Sequence, residues 1–258
     1  MGPAHRASPS SQWATTWQSS WDRLEEACIP DREAMLSALV DVVEALPESS
    51  CTVVDLACGT GSVTRRLLTR VPHARVVALD VDPVLLTIAS ATFAGDGRVR
   101  VVRADLRDQQ WVTAVARERV DAVLTATALH WLSERVVRRL YRELATLVRP
   151  GGVFAHLERM PLAELPRLGR MLAERASRSS RPEHQTRADW DAWWDAAAND
   201  PVLRAQVIDR RGVFEDNYPA EEFSPPAAWH LDTLREAGFA EAGVVWRAGS
   251  SAIVAAVR

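Results

Sequence analysis

The chain contains no lysine: all 31 of its basic residues are arginine. A phosphate-binding loop of the G-x-x-x-x-G-K-[ST] type is therefore excluded. So are a pyridoxal-phosphate Schiff base, an aldolase-type lysine nucleophile and a lysine general base. A GC-rich coding sequence, which favours arginine and alanine, accounts for the absence without a functional cause. Cysteine is scarce. Cys28, Cys51 and Cys58 form no metal-ligand or disulfide framework, so no metal site is expected, and their odd number fits a reducing compartment. No run of about 18 apolar residues is present, so no membrane-spanning helix is expected. Neither sign of charge is in excess: 34 acidic residues against 31 basic ones give a formal charge of −3, which leaves no electrostatic footprint for nucleic acid. Met1 to Ser11 is small and polar and lacks the apolar stretch of a signal peptide. It reads as a disordered tail, and the expected location is cytoplasmic.

What is present is a regular alternation of buried runs and amphipathic stretches. Trp13, Trp17 and Trp21, spaced by four, put three indoles on one face of a helix. A second helical pattern runs from Asp31, read as its N-cap, to about Leu46. Strand-like runs follow at Cys51–Leu56, Arg75–Asp80, Val99–Arg103, Asp121–Ala126 and Gly152–Leu157. Helical patterns at Ser62–Arg70, Pro83–Phe93 and Glu134–Leu147 fall between them, the last stopped by Arg149-Pro-Gly-Gly. Strands alternating with helices at this spacing predict a parallel sheet with helices on both faces. Pro161 to Pro226 breaks the pattern. It holds helical stretches near 163–177, 188–198 and 201–210 and no convincing strand, and it reads as a helical insertion or cap. A helix over Trp229–Ala237 then ends at Gly238, and a hairpin is predicted around Ala248-Gly249-Ser250.

The first strand ends in Ala57-Cys58-Gly59-Thr60-Gly61. A glycine turn between strand and helix brings backbone N–H groups to a ligand, and Gly59 and Gly61 allow positive φ and close approach. Asp80 ends the next strand, nineteen residues past Gly61, where a ribose-binding carboxylate sits in nucleotide-binding α/β folds. Asp105 follows the third strand with Leu106 beside it, placed to meet an adenine amine and ring. Each acid alone also reads as a helix N-cap. The dinucleotide fingerprint G-x-G-x-x-G/A is not met, because Gly61 is followed by Ser62, Val63 and Thr64, while an acid, Asp55, sits inside the strand end.

The run Val53-Val-Asp-Leu-Ala-Cys-Gly-Thr-Gly61 resembles the first motif of class I S-adenosylmethionine-dependent methyltransferases. Ala78-Leu-Asp-Val-Asp-Pro83 looks like their second motif, and Arg103-Ala-Asp-Leu-Arg107 like their adenine-contact segment. Thr127-Ala-Leu-His-Trp-Leu132 resembles the segment after the fourth strand in the trans-aconitate methyltransferase-like group. Leu147 to Phe154, Leu234 to Phe239 and Val244-Val-Trp-Arg247 are similar to the family as well. The resemblance covers roughly Asp31–His156 and Ala228–Arg258, and Ala57 departs from it by replacing the usual first glycine.

The resemblance implies a Rossmann-like α/β fold with a seven-stranded, mostly parallel sheet whose last strand is antiparallel, an N-terminal helical lid and a helical cap insertion. Together with the tail and the helical insertion read above, this divides the chain into a tail over 1–11, a cofactor-binding core with lid helices over 12–160, a substrate cap over 161–226, and a C-terminal helix and hairpin over 227–258. The resemblance implies S-adenosylmethionine as the cofactor. Asp55 would orient the turn and reach the methionine amine. The Ala57, Gly59 and Gly61 backbone would line the methionine and ribose portion, and Asp80 would hold the ribose hydroxyls. Val81, Asp105 and Leu106 would bracket the adenine, and Thr125 and Ala126 would lie under the sulfonium. Trp17, from the indole stripe, is the lid candidate, with ordinary core packing as the competing reading. Arg32 is the early cation placed for the methionine carboxylate, unless it is a solvated helix-start residue.

His130 is the candidate general base, being a side chain easily poised near neutral pH, with packing against the cofactor as its alternative. Glu158, past the fifth strand, is the next candidate. Trp131, His156, His184, Trp194 and Tyr218 are the candidate substrate contacts, though Trp190, Trp193 and Trp194 at i, i+3 and i+4 also read as core. Arg181 and Arg187 could pair with a substrate anion or sit solvated. The expected function is methylation of a small molecule, with a lean to oxygen as acceptor atom in bacterial specialised metabolism. Two alternatives stay open: the same fold using the cofactor without methyl transfer, as in a cyclase, and a non-catalytic binding module. The expected partner is a small-molecule substrate, with no nucleic acid and no membrane, and a homodimer is left open.

Overall fold

The computed structural model describes residues 9–29, 31–47, 51–115, 118–179, 183–214 and 222–258. The first eight residues of the expected tail, Arg181 and Tyr218 lie outside the described residues. Five parallel strands, β1 (Thr52–Leu56), β2 (Arg75–Asp80), β3 (Val99–Arg103), β4 (Val120–Ala126) and β5 (Val148–Arg159), form one sheet with β6 (Glu241–Ala248) and β7 (Ser251–Val257). The order across the sheet is β3-β2-β1-β4-β5-β7-β6, and β7 runs antiparallel to both of its neighbours. β2 and β3 build out from one side of β1 and β4 from the other. The carboxyl ends of β1 and β4 therefore flank the switch point where doubly wound sheets open a crevice. The register is tight there: Asp55 pairs with Ala78 on β2 and with Leu124 on β4.

Valine-rich central strands suit this position, because helices cover both faces and leave no solvated side. Val53, Val54 and Leu56 are fully buried, as are Ala122, Val123 and Leu124. One face packs against α5 (Glu134–Leu147) and α9 (Ala227–Ala237), around Trp111, Tyr141 and Phe154. The other packs against α2 (Arg32–Glu44) and α3 (Ser62–Arg70), around Leu39, Val40 and Leu67. α4 (Pro83–Thr92) starts at a strong signal: Asp82 accepts from the Val84 and Leu85 amides and Pro83 opens the helix. α9 ends at Gly238, whose φ of 110° is the left-handed C-cap geometry.

A third apolar cluster lies outside the two sheet faces. Helix α1 (Ser11–Cys28) meets α4 and the inserted helices α7 (Glu183–Asn199) and α8 (Arg204–Phe214) there, while α6 (Pro166–Ser179) precedes them. Trp21 and Trp193 sit edge to face at 4.9 Å, and Trp17 and Trp193 at 5.2 Å. Trp13 and Trp17 both donate their indole N–H to Asp200. A carboxylate that collects two indoles satisfies polar atoms the packing would otherwise strand.

Three sequence expectations change. Asp31 does not cap α2: its φ is 61° and its side chain makes no cap bond. The fifth strand begins at Val148 rather than Gly152 and runs through Arg149-Pro-Gly-Gly, because Val148 already pairs with Val120 across a bulge. The second inserted helix starts at Glu183, five residues before the expected position.

Candidate active site

The carboxyl ends of β1, β2 and β4 open into a cavity of about 460 Å³, within the range of small-molecule and cofactor sites. Its floor is the turn after β1. Ala57 adopts φ 59°, Gly59 57° and Gly61 86°, so the chain folds back through three left-handed residues and reaches α3. Ala57 survives in this conformation as an alanine, at a cost glycine would not carry. A Cβ on Gly59 would point toward Leu85 and the Trp21 indole in the cavity wall; one on Gly61 would meet Phe93 at 2.4 Å. The Ala57 to Gly59 backbone lines the cavity, whereas Gly61 shapes the turn from behind and is not part of the lining.

Asp55 and Asp80 both line this cavity. Asp55 accepts from the Thr64 amide and hydroxyl at 3.0 and 2.6 Å, which ties β1 to the first turn of α3. Asp80 accepts from the Gly59 amide on one oxygen and from the Val81 and Asp82 amides on the other, each at 2.7 to 2.9 Å. Burial pushes both carboxyls up to about 6; their hydrogen bonds work against the rise, and the Asp80 charge adds to it for Asp55. Val81, Asp105 and Leu106 close the far side. Arg107 grips Asp105 with two nitrogens, at 3.0 and 2.6 Å, and keeps its carboxyl low against the opposing effect of burial.

The near wall comes from α1 and α2. Asp22 accepts from Ser62, Arg32 and Arg65, anchoring α1 to both following helices. Arg32, buried and 3.1 Å from Asp22, lines the cavity, so it is not a solvated residue. Of the indole stripe it is Trp21 that reaches the cavity. Trp17, the sequence candidate, lies in the tryptophan cluster and is not part of the lining. Residues spaced by four share a direction but differ in height along the axis, and Trp21 is the rung level with the turn.

Past β4, Ala126 lines the cavity, while Thr125 is fully buried and does not. Thr127 takes φ 50° and, with Ala128 and Trp131, forms the rim. His130 stands beside Trp131 at a ring distance of 5.0 Å and donates from Nδ1 to Glu158 at 2.9 Å. Burial alone would raise the Glu158 carboxyl, but His130 and His156 outweigh it and hold it well below the usual carboxylate range. An ionised Glu158 accepts the Nδ1 proton and so orients the ring, while His130 itself stands outside the cavity lining. Glu158 itself is buried and outside the lining, so it positions His130 and does not face the cavity. His156 is completely buried and shares the Tyr141 hydroxyl with His230, which excludes it as a substrate contact. His184 and Arg187 are exposed on α7, away from the cavity. Trp194 does line it.

The sequence missed several lining residues. Glu25 and Leu36 come from α1 and α2, and Arg210 and Phe214 from the insertion, whose Trp190, read from the sequence as core or pocket wall, also lines the cavity. Arg210 bonds Asp82 at 2.6 Å and lies over the rings of Trp194 and Phe214 at 3.9 and 4.3 Å. The i+4 spacing of Glu25 from Trp21 was the one available signal; nothing near Arg210 marks it. The described residues hold no cluster of metal-ligating side chains and no helix long and apolar enough to cross a membrane.

Residues 53–152 match the family described as a methyltransferase domain. Residues 53–152 thus carry a methyltransferase domain. The chain is 33% identical over 137 residues to a trans-aconitate 2-methyltransferase of Azoarcus sp. (strain BH72), covering 53% of this chain and 49% of that protein. It is 30% identical over 116 residues to an ornithine lipid N-methyltransferase of Singulisphaera acidiphila, covering 44% and 60%. The chain thus spans about half the length of the curated relatives it matches. Among solved structures, the apo S-adenosylmethionine-dependent methyltransferase SibL superposes with a TM-score of 0.54 at 19% identity, covering 95% of this chain and 69% of that one. An O-methyltransferase family protein from Burkholderia thailandensis gives 0.55 at 21%, covering 96% and 70%. At these identities the structural likeness speaks to the fold of the methyltransferase domain and its surroundings.

Proposed function

We propose that the protein uses S-adenosylmethionine to methylate a small molecule, with an oxygen acceptor in specialised metabolism as the favoured case. One observation carries the reading: Asp55, Ala57, Gly59, Asp80, Val81, Asp105, Leu106 and Ala126 line a single cavity. The residues fit the cofactor. Asp80 Oδ2, which accepts only the Gly59 amide, has lone-pair capacity left for a ribose hydroxyl, the wall beside Gly59 stays open for want of a Cβ, and Leu106 offers an apolar surface to the adenine. Arg32 supplies the cation for an amino-acid carboxylate. When bound, the cofactor supplies a methyl group activated by positive sulfur.

The chain's own task is then orientation and water exclusion. Trp21 and Arg32 close the α1–α2 side, and Trp194 and Arg210 the side of the insertion. His130 stands behind the lining residues Ala128 and Trp131 with its Nδ1 bonded to Glu158, and it is the candidate base for a hydroxyl acceptor. In this reading the core and lid occupy 12–160, the cap 161–226 and the closing helix and hairpin 227–258.

Calorimetry with S-adenosylhomocysteine tests the core claim. The wild type should bind, and Asp80→Ala should weaken binding by about 1–3 kcal/mol; a wild type that does not bind refutes the reading. Release of S-adenosylhomocysteine together with a product heavier by one methyl separates transfer from cyclisation or passive binding.

A further inference from the structure

Five carboxylates and two guanidiniums line the cavity, and all but one are already engaged. Asp55 is held by Thr64, Asp80 by three backbone amides, Asp82 by the amides of α4 and by Arg210, and Asp105 by Arg107. Arg32 is paired with Asp22 and Arg210 with Asp82. The Glu25 side chain makes no hydrogen bond among the described residues, although it is partly buried and lines the cavity one turn beyond Trp21. A carboxylate taken from water without a partner is costly, and a ligand that brings a donor or a positive charge relieves that cost.

We infer that Glu25 recognises the methyl acceptor, and that the acceptor is an aromatic molecule carrying a protonated amine. The inference rests on the proposed methyltransferase reading and names its substrate class. The remaining walls support it. Trp21, Trp131, Trp190, Trp194 and Phe214 give the chamber aromatic faces, which attract both flat rings and cations. The charged groups whose fields reach Glu25 are Arg32, Asp22 and His130. Burial pushes its carboxyl up, Arg32 and His130 draw it down and Asp22 pushes it up again. Trp21, one helical turn from Glu25, packs 5.6 Å from Trp190 and 6.3 Å from Trp194, which sets Glu25 beside the aromatic wall supplied by the insertion. The excess of carboxylates also disfavours a polyanion: Arg32 is assigned to the cofactor, and Arg210 is paired with Asp82.

The test is calorimetry on the full chain saturated with S-adenosylhomocysteine. Tyramine and 3-(4-hydroxyphenyl)propionate share a phenol and a two-carbon linker and differ in the sign of the terminal charge. Wild type should bind tyramine at least tenfold tighter than the propionate. Glu25→Gln should abolish the preference, Glu25→Asp should retain part of it, and both should bind S-adenosylhomocysteine within twofold of wild type. Equal affinities, a preference for the propionate, or no tyramine binding at millimolar concentration overturns the proposal. A tenfold loss of S-adenosylhomocysteine affinity in Glu25→Gln also overturns it, since Glu25 would then belong to the cofactor's own amine. A wild type that fails to bind S-adenosylhomocysteine would fail at the underlying methyltransferase reading instead.

Discussion

The turn after β1 offers an internally controlled experiment. Gly59 and Gly61 both have left-handed backbone, at φ 57° and 86°. Alanine at either site incurs about 1–2 kcal/mol of backbone strain, offset by about 0.4–1 kcal/mol from a less mobile unfolded chain. Their surroundings differ. A Cβ at 59 finds its nearest neighbours at 3.8 and 4.0 Å, ordinary contact distances, whereas at 61 it lands 2.4 and 2.9 Å from the Phe93 ring. The ring must move, and overpacking of this kind costs about 1–3 kcal/mol. Gly59→Ala should therefore cost about 1 kcal/mol of stability and Gly61→Ala about 2–4 kcal/mol, read from urea unfolding by linear extrapolation. Phe93→Ala removes the obstacle. The double variant Gly61→Ala/Phe93→Ala should cost about 1–3 kcal/mol less than the sum of the single changes. Two glycine variants equal within about 0.5 kcal/mol, or strictly additive changes at 61 and 93, would refute the steric account.

Asp55, pushed up to about 6 by burial, should leave a mark on stability against pH. Its folded value lies above the unfolded one of about 3.9. The native state thus holds more protons between about pH 4 and 6, and the contribution to stability falls as pH rises through that window, by about 3 kcal/mol. Asp55→Asn should lack this fall when urea unfolding is compared with wild type at pH 4 and pH 7. Glu158→Gln should lower turnover about 100-fold while leaving S-adenosylhomocysteine affinity within twofold, because Glu158 touches His130 and not the cavity; steady-state rates across pH check it. Arg210→Ala should destabilise the fold by about 1–2 kcal/mol, a buried-pair effect discounted for the partial exposure of Arg210. Arg210→Lys should recover less than half of that, as measured by the same unfolding assay.

The parallel strands and the glycine turn were legible because their signals are local. A valine run buried on both faces, a helix opening at Pro83 and an acid at each strand end are readable within a few residues. The cavity lining was legible only where it lies on those strand ends. Trp17 and Trp21 share a helix face, and only the height at which α1 crosses α4 decides which indole meets the turn. Asp31 reads as a cap by type, yet its left-handed backbone turns the side chain away from the amides of α2. Thr127 gives no hint of its positive φ. Arg210 and Phe214 sit in a helix of unremarkable composition, and their place in the wall depends on long-range docking of α8 onto α4.

That docking ties the insertion to the second motif more closely than a cap over the acceptor would require. Asp82 follows Asp80 by two residues; one of its oxygens caps α4 and the other receives Arg210. Asp209 next to it pairs with Arg103 at the end of β3, so α8 is fastened along the edge where the ribose and adenine groups of the proposed cofactor would lie. A planar guanidinium suits the position: its edge meets the carboxylate while its face lies over Trp194 and Phe214. A lysine would make the ion pair and forgo the stacking. The absence of lysine therefore does more here than exclude chemistries. It leaves the insertion held by contacts that couple α8 to the adenosine side of the cavity, so changes in the insertion should alter cofactor affinity as well as acceptor choice.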